Sequence, residues 1–212
     1  MKLETVDALA DAASRRIASL LAASEGEAVV ALAGGSTPRA TYARLAAMDL
    51  PWQRIVWFLG DERFVPHDDP ESNYGMIRKT LGARADLRAV ETEPRTPEEA
   101  AAHYERALAP YAKRPRLFDL VILGLGTDGH TASLFPGSAV LDETARLARP
   151  TENGRITLTY PALNSGRHTM FLVEGTAKRE ALTRLLAGDR SIPAARIEGD
   201  DVAVFADRDA AP

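Results

Sequence analysis

The sequence predicts an α/β protein with a mostly parallel β-sheet that helices cover on both faces. Strand-like apolar runs alternate with helix-like segments along the chain, which is the pattern of βαβ units. Three of the predicted strands end in loops rich in glycine or charge, at 34–36, 60–63 and 124–130. Because the carboxyl ends of parallel strands lie along one edge of the sheet, we expect these three loops to converge on one site.

The strands are predicted from short apolar runs that end at turn residues. The runs at 28–33 and 55–59 are apolar throughout and stop at glycine, as expected for strands that are buried on both faces. The run at 118–123 leads directly into a glycine-rich turn. With the shorter candidates included, the predicted strands are 28–33, 55–59, 87–90, 118–123, 155–159, 169–173 and 202–205.

The helices are predicted from the spacing of apolar residues and from capping signals. Residues 4–22 place apolar side chains on one face of a helix. Pro38 is pre-organised for the first turn of a helix that starts at Thr37. The segment 96–99 reads Thr-Pro-Glu-Glu and predicts a capping box at the start of another helix. Two further helices are predicted over 69–81 and 176–186.

Composition excludes several classes of protein. A chain of 212 residues with 45% hydrophobic and 26% charged residues fits a single globular domain over 1–212. A net charge of −4 does not attract nucleic acid or an anionic membrane, so an anionic ligand needs a local basic site. The chain has no cysteine, no signal-peptide pattern and no apolar run long enough to span a membrane, so we expect a cytoplasmic protein.

The segment 124–136 contains the candidate catalytic residues. Its Gly-x-Gly-x-x-Gly pattern matches a dinucleotide-binding fingerprint, but that fingerprint requires a long helix after the third glycine. Pro136-Gly137 interrupts any such helix after six residues, so we expect no nucleotide cofactor. The same turn places His130 near Asp128, at the edge of the sheet where catalytic groups gather. Histidine is suited to act as a general base there.

Two other segments are candidates for anion binding. Gly34, Gly35, Ser36 and Thr37 form a glycine loop between a strand and a helix, where backbone N–H groups and hydroxyls can hold a phosphate. Lys178 lies in the first turn of the helix predicted over 176–186, where a cation opposes the helix dipole unless an anion binds nearby.

Asp61 and Arg63 follow the strand predicted at 55–59 and are further candidates for the site. His67, His103 and His168 are expected to be structural or exposed. No group of histidine, aspartate and glutamate residues has the spacing of metal ligands, so no metal is expected.

Taken together, these segments resemble the 6-phosphogluconolactonase family. The matching pieces occur in the family's order and cover most of the chain; they are 34–38, 60–66, 72–74, 124–136 and 175–178. The resemblance implies a modified Rossmann-like three-layer α/β/α fold, related to glucosamine-6-phosphate deaminase and ribose-5-phosphate isomerase. It also implies hydrolysis of 6-phospho-D-glucono-1,5-lactone to 6-phospho-D-gluconate in the pentose phosphate pathway, without a metal or a nucleotide.

In this interpretation His130 removes a proton from the attacking water and later returns it to the ring oxygen. Asp61 or Asp128 orients His130 or contacts sugar hydroxyls, and the sequence does not decide between the two. Arg63 holds either the oxyanion or the phosphate. Residues 34–37 and Lys178 hold the 6-phosphate.

Two other functions compete with this interpretation. The related deaminase has Ile-Ala-Phe-Asn-Glu-Pro after the histidine, whereas this chain has Thr-Ala-Ser-Leu-Phe-Pro over 131–136 and lacks that glutamate. Arg63 also stands where the deaminase usually has an aromatic residue. A non-catalytic sugar-phosphate sensor would usually carry an additional DNA-binding or oligomerisation segment, and none is visible here. We expect a monomer or a weak homodimer.

Overall fold

The computed structural model describes all 212 residues. The chain forms ten strands, in order β1 (Lys2–Thr5), β2 (Ala28–Leu32), β3 (Ile55–Leu59), β4 (Asp61–Arg63), β5 (Asp86–Arg88), β6 (Phe118–Gly124), β7 (Ala148–Thr151), β8 (Arg155–Leu158), β9 (Gly166–Val173) and β10 (Asp201–Ala206). It forms six α-helices, in order α1 (Leu9–Ala22), α2 (Ser36–Ala46), α3 (Asn73–Leu81), α4 (Pro97–Leu108), α5 (Tyr160–Leu163) and α6 (Arg179–Leu186).

Seven strands form one sheet in the order β1-β10-β9-β6-β2-β3-β5, and all their pairings are parallel. Helices pack on this sheet to give a three-layer α/β/α arrangement; α1 lies against α2, and α2 against α3. The predicted fold class is therefore confirmed. Strands β2 and β3 are buried at every position and contribute to a core cluster of 55 buried residues. Burial of these apolar side chains is the main source of stability.

Several boundaries predicted from the sequence are confirmed. Strand β3 spans the predicted 55–59, and β2 and β6 differ from prediction by one residue. The capping box at the start of α4 is also present. The Thr96 hydroxyl accepts a bond from the backbone N–H of Glu99 (3.3 Å), and the Glu99 carboxylate accepts one from the backbone N–H of Thr96 (2.8 Å).

Other boundaries were predicted wrongly at element ends. The helix predicted over 4–22 begins at Leu9, because residues 2–5 form the edge strand β1 by pairing with β10. The helix predicted from residue 69 begins at Asn73, where the Ser72 hydroxyl caps it by accepting a bond from the backbone N–H of Gly75. The strand predicted at 87–90 lies at Asp86–Arg88. The helix predicted over 176–186 is divided into a 3₁₀ turn (Thr176–Lys178) and α6.

A second, antiparallel sheet was not predicted. Strands β4, β8 and β7 form it in that order, and β8 is the strand expected at 155–159. Glu105 of α4 fastens this sheet to the rest of the protein. Its carboxylate accepts bonds from the backbone N–H groups of Leu147 (2.7 Å) and Ala148 (3.3 Å) and pairs with Arg146 (2.9 Å). The second sheet thereby brings β8 beside the carboxyl end of β3.

No helix of the structure combines the length and the apolar character that crossing a membrane requires.

Candidate active site

A cavity of about 260 Å³ opens at the carboxyl edge of the main sheet. The segments that follow β2, β3 and β6 all line it, so the predicted convergence is confirmed, although the segment after β3 is strand β4 rather than the expected loop. The loop after β9 also lines the cavity and brings Lys178 into it. All the residues proposed from the sequence lie along this cavity except Asp128, which reaches it through its contact with His130.

His130 and Asp128 form the central pair of this site. The ring Nδ1 of His130 lies 2.6 Å from the Asp128 carboxylate, which also accepts the backbone N–H of His130 at 3.1 Å. Burial alone would raise the pKa of Asp128, but these hydrogen bonds outweigh it and hold that pKa below its usual range. The ring Nε2 makes no hydrogen bond within the protein. The imidazole ring packs on Phe135, with 4.4 Å between centroids.

The glycine pattern of this turn serves the histidine rather than a nucleotide. A Cβ on Gly126 would lie 2.0 Å from Nδ1 of His130 and 2.6 Å from the Asp128 carboxylate. Gly129 has a φ of +83°, a left-handed conformation that glycine adopts without strain. Because the backbone of Gly126 is pressed against the pair, a side chain at that position would separate His130 from Asp128.

Asp61 has different partners. Its side chain is buried and accepts a bond from the Ser133 hydroxyl at 2.5 Å. The Asn73 amide donates to it at 3.4 Å, and Arg155 lies 3.9 Å away. The sequence left open whether Asp61 or Asp128 pairs with His130, and in the structure Asp128 does so.

Three cationic side chains line the cavity. Arg63 of β4 and Arg155 of β8 stand directly opposite each other in the antiparallel pairing, and both line the cavity together with Lys178. Neither Arg63 nor Lys178 has a carboxylate within 4.0 Å, and the buried Nε of Arg63 has no partner. Like charges facing each other across a strand pair are unfavourable, so an anion bound between them would be stabilising.

The glycine loop at 34–37 leads into α2. Gly35 precedes the first turn with a φ of +106°, and the first residues of the helix, Ser36 and Thr37, line the cavity. The Thr37 hydroxyl donates to the Glu174 carboxylate at 2.9 Å, which links this loop to the loop after β9. The geometry of a helix start and a nearby lysine fits a phosphate group.

Sequence reasoning missed three residues that line the cavity: Asn73, Glu174 and Arg155. Asn73 follows Ser72 in one of the motifs quoted above, which was its only signal. Arg155 was assigned to a strand but not to the site, because its place depends on the unpredicted pairing of β8 with β4. His67, His103 and His168 lie outside the cavity, as expected.

A larger cavity, of about 710 Å³, lies at the opposite edge of the sheet. Its lining includes Arg114 and Asp119, which pair at 2.9 Å, and His168, which pairs with Asp201 at 2.9 Å. None of the site residues proposed from the sequence lines this cavity. The structure brings together no group of three or more His, Cys, Asp or Glu side chains that could hold a metal ion.

Known proteins resemble this chain in sequence and in fold. The profile of the family described as glucosamine-6-phosphate isomerases/6-phosphogluconolactonase matches residues 3–205. The chain belongs to that family. It is 39% identical over 177 residues to a 6-phosphogluconolactonase of Synechocystis sp.. The aligned region covers 78% of this chain and 74% of that protein. A crystal structure of 6-phosphogluconolactonase from Thermotoga maritima superposes with a TM-score of 0.87 and 32% identity, over 98% of this chain and 99% of that one.

A glucosamine-6-phosphate deaminase has the same fold. A monomeric glucosamine-6-phosphate deaminase superposes with a TM-score of 0.83 over 99% of this chain and 98% of that one, at 23% identity, which shows the shared fold alone. The residue before Pro136, where the deaminase pattern has glutamate, is Phe135 here, and it packs on the His130 ring. The site therefore presents an apolar side chain at the position of that acid.

The pairing of His130 with Asp128 predicts one neutral tautomer of the ring. Because Nδ1 donates to the carboxylate, the proton should reside on Nδ1 and leave Nε2 as the acceptor. The ¹⁵N NMR spectrum of the ring should show a protonated Nδ1 and an unprotonated Nε2. Gly126→Ala should abolish this signature, because its Cβ would collide with the ring.

Gly124→Ala is the matched control for that measurement. A Cβ on Gly124 meets nothing within 4 Å, so the tautomer of His130 should stay unchanged. An unaltered spectrum in Gly126→Ala, or the opposite tautomer in the unmodified protein, would contradict the geometry described here.

Proposed function

We propose that this protein is a 6-phosphogluconolactonase, a carboxylic ester hydrolase that converts 6-phospho-D-glucono-1,5-lactone to 6-phospho-D-gluconate in the pentose phosphate pathway. The observation that carries the proposal is the His130 and Asp128 pair beside a cavity that also holds Arg63, Arg155 and Lys178. The family match and the names of the relatives support the same reaction.

The reaction begins with a water molecule at the carbonyl carbon of the lactone. Nε2 of His130 accepts a proton from this water as its oxygen bonds to that carbon, and the carbonyl oxygen becomes an oxyanion. When the tetrahedral intermediate collapses, the bond to the ring oxygen breaks and the proton on Nε2 passes to that oxygen. The products are a carboxylic acid and a free hydroxyl. No covalent enzyme intermediate is needed, because a lactone is already an activated ester.

Asp128 supports both proton transfers. Its hydrogen bond to Nδ1 fixes the ring orientation and keeps Nε2 available as the base. The lowered pKa of Asp128 keeps its carboxylate ionised, so it stabilises the imidazolium that forms after the first transfer. Asp61 is tied to Ser133 and Arg155 and has the hydrogen-bonding capacity to contact sugar hydroxyls.

The cations of the cavity serve the two negative charges of the reaction, the 6-phosphate and the oxyanion. Lys178 and residues 34–37 form the phosphate site in this proposal. Arg63 and Arg155 face each other next to Asp61, where they stabilise one of the two anions. The position of Phe135 weighs against the deaminase reaction, and no observation favours a non-catalytic sensor.

A direct assay tests the proposed activity. Purified protein should hydrolyse freshly generated 6-phosphogluconolactone well above the spontaneous rate and release no ammonia from glucosamine 6-phosphate. Ammonia release without lactone hydrolysis would assign the protein to the other branch of its family. Activity on neither compound would leave the proposal without support.

His130→Ala should lower kcat by about 10²–10⁴-fold, the usual effect of removing a general base. His130→Asn retains hydrogen bonding but cannot accept the proton, so it should be nearly as impaired. Substantial activity in His130→Asn would mean that the ring only holds the loop in place.

Lys178→Ala should raise KM for the phosphorylated lactone much more than for unphosphorylated gluconolactone, because the lysine is proposed to bind the phosphate. Equal effects on both compounds would remove it from the phosphate site. The same comparison in Arg63→Ala separates its two candidate partners. A contact with the oxyanion lowers kcat for both lactones, whereas a contact with the phosphate affects only the phosphorylated one.

Extensive dialysis against EDTA should leave kcat unchanged, because every step above uses side chains of the chain itself. A loss of activity that a divalent cation restores would require a metal in the mechanism.

A cytoplasmic location and a monomeric or weakly dimeric state stay predictions from the sequence. Size-exclusion chromatography with light scattering tests the second of these.

A further inference from the structure

Glu62 is a buried carboxylate that the proposed reaction does not use. It lies between Asp61 and Arg63 in β4, where successive side chains point to opposite faces of the strand. Asp61 and Arg63 line the cavity, whereas Glu62 does not and is 0% exposed. Burial raises the pKa of Glu62, and the hydrogen bonds it accepts oppose that shift. A carboxyl group that is fully buried needs a structural explanation.

The contacts of Glu62 lead to the start of α3. Its carboxylate accepts bonds from the backbone N–H groups of Asn73 (2.7 Å), Tyr74 (2.7 Å) and Arg63 (2.8 Å), and from the Ser72 hydroxyl (3.1 Å). Three of these four donors belong to the first residues of the helix or to its cap. The carboxylate thus fixes α3 to β4 and places a negative charge at the positive end of the helix dipole.

Asn73 is the residue that this connection places. It is 4% exposed and lies between two walls of the cavity. Its amide donates to the backbone carbonyl of Asp61 at 2.9 Å and to the Asp61 carboxylate at 3.4 Å. On its other side, a Cβ on Gly34 would lie 2.0 Å from the amide oxygen of Asn73. Asn73 therefore fills the space between Asp61 and the loop at 34–37.

A cap for α3 does not by itself explain Glu62. Ser72 already caps the helix by accepting the backbone N–H of Gly75 at 3.0 Å. A buried charge is costly unless its hydrogen bonds compensate, and an exposed polar residue could satisfy the same helix start in water. What the buried carboxylate adds is a fixed distance between the helix start and the strand that carries Asp61 and Arg63.

We propose that Glu62 and Asn73 are positioning residues for substrate binding. Glu62 holds the start of α3 on β4, and Asn73 sets the separation between the Asp61 carboxylate and the loop at 34–37. This inference rests on the proposed function, because that cavity is where the sugar phosphate binds. Neither residue needs to touch the reacting atoms, and the pair of His130 and Asp128 lies outside this network.

The test compares Asn73→Ala and Glu62→Gln with Ile77→Val. In Glu62→Gln the side-chain NH₂ group faces backbone N–H donors and cannot accept their hydrogen bonds. In Asn73→Ala the side-chain amide is absent. Ile77 is buried in the same helix but has no part in the network, so its variant controls for loosening of α3. KM for the phosphorylated lactone should rise about tenfold in the first two variants, the effect of losing a buried hydrogen bond or two. The value of kcat should change less than threefold, and Ile77→Val should keep KM near that of the unmodified enzyme.

Two further readouts keep the outcome clear. The ¹⁵N signature of His130 should be unchanged in all three variants, and affinity for 6-phosphogluconate by calorimetry should fall with the rise in KM. If KM and product affinity in Asn73→Ala and Glu62→Gln stay equal to those of Ile77→Val, the network is merely structural and the inference is wrong. If the unmodified protein binds 6-phosphogluconate but does not hydrolyse the lactone, the proposed activity fails, and the product affinities still decide the role of Glu62 and Asn73.

Discussion

The arrangement of the site depends on one hydrogen bond, between the His130 ring and the Asp128 carboxylate. Both residues lie in one tight turn that holds them together. The turn closes on itself through the backbone N–H of Gly126, which donates to the carbonyl of His130 at 2.8 Å. The Thr131 hydroxyl donates to the carbonyl of Gly124 at 2.8 Å and ties the turn to the end of β6. Since β6 is the central strand of the main sheet and pairs on both sides, the base follows a strand that is held by two neighbours.

The net charge of the protein does not indicate how the charged side chains are distributed around this pair. The protein carries a net charge of −4, yet Arg63, Arg155 and Lys178 meet in one cavity. Elsewhere many arginines are matched by a carboxylate, as Arg44 is by Asp11 at 2.7 Å. The second sheet is essential to this arrangement, because its pairing of β4 with β8 sets Arg63 opposite Arg155. Glu105 in turn holds that sheet on α4.

The sequence was sufficient for the elements that local physics determines. Strands β2 and β3 are apolar at every position and end at glycine, and the α4 capping box is a local pattern, so these were predicted correctly. Strand β1 was missed because a four-residue edge strand with Lys2 and Glu4 has no strand-like pattern of its own. It is stabilised by its partner β10, which lies almost the whole chain away.

The site was predictable where one segment carries both the scaffold and the functional group. His130, Asp128 and Lys178 were selected in this way, and the structure places His130 and Lys178 in the cavity and Asp128 against His130. Asn73 and Arg155 were not, because their place in the cavity depends on contacts between distant segments: Asn73 with Asp61 and Gly34, and Arg155 with Arg63. The spacing of apolar and polar residues within a single segment does not indicate such contacts.

In the proposed mechanism, the carboxyl-edge cavity binds the sugar phosphate with its reacting carbon at Nε2 of His130. A crystal structure of the protein with 6-phosphogluconate tests this most directly. We expect the product carboxylate within about 3.2 Å of Nε2, the reach of a general base, and the phosphate beside Lys178 and the loop at 34–37. A phosphate bound at His130, or a product bound in the cavity at the opposite edge of the sheet, would contradict it.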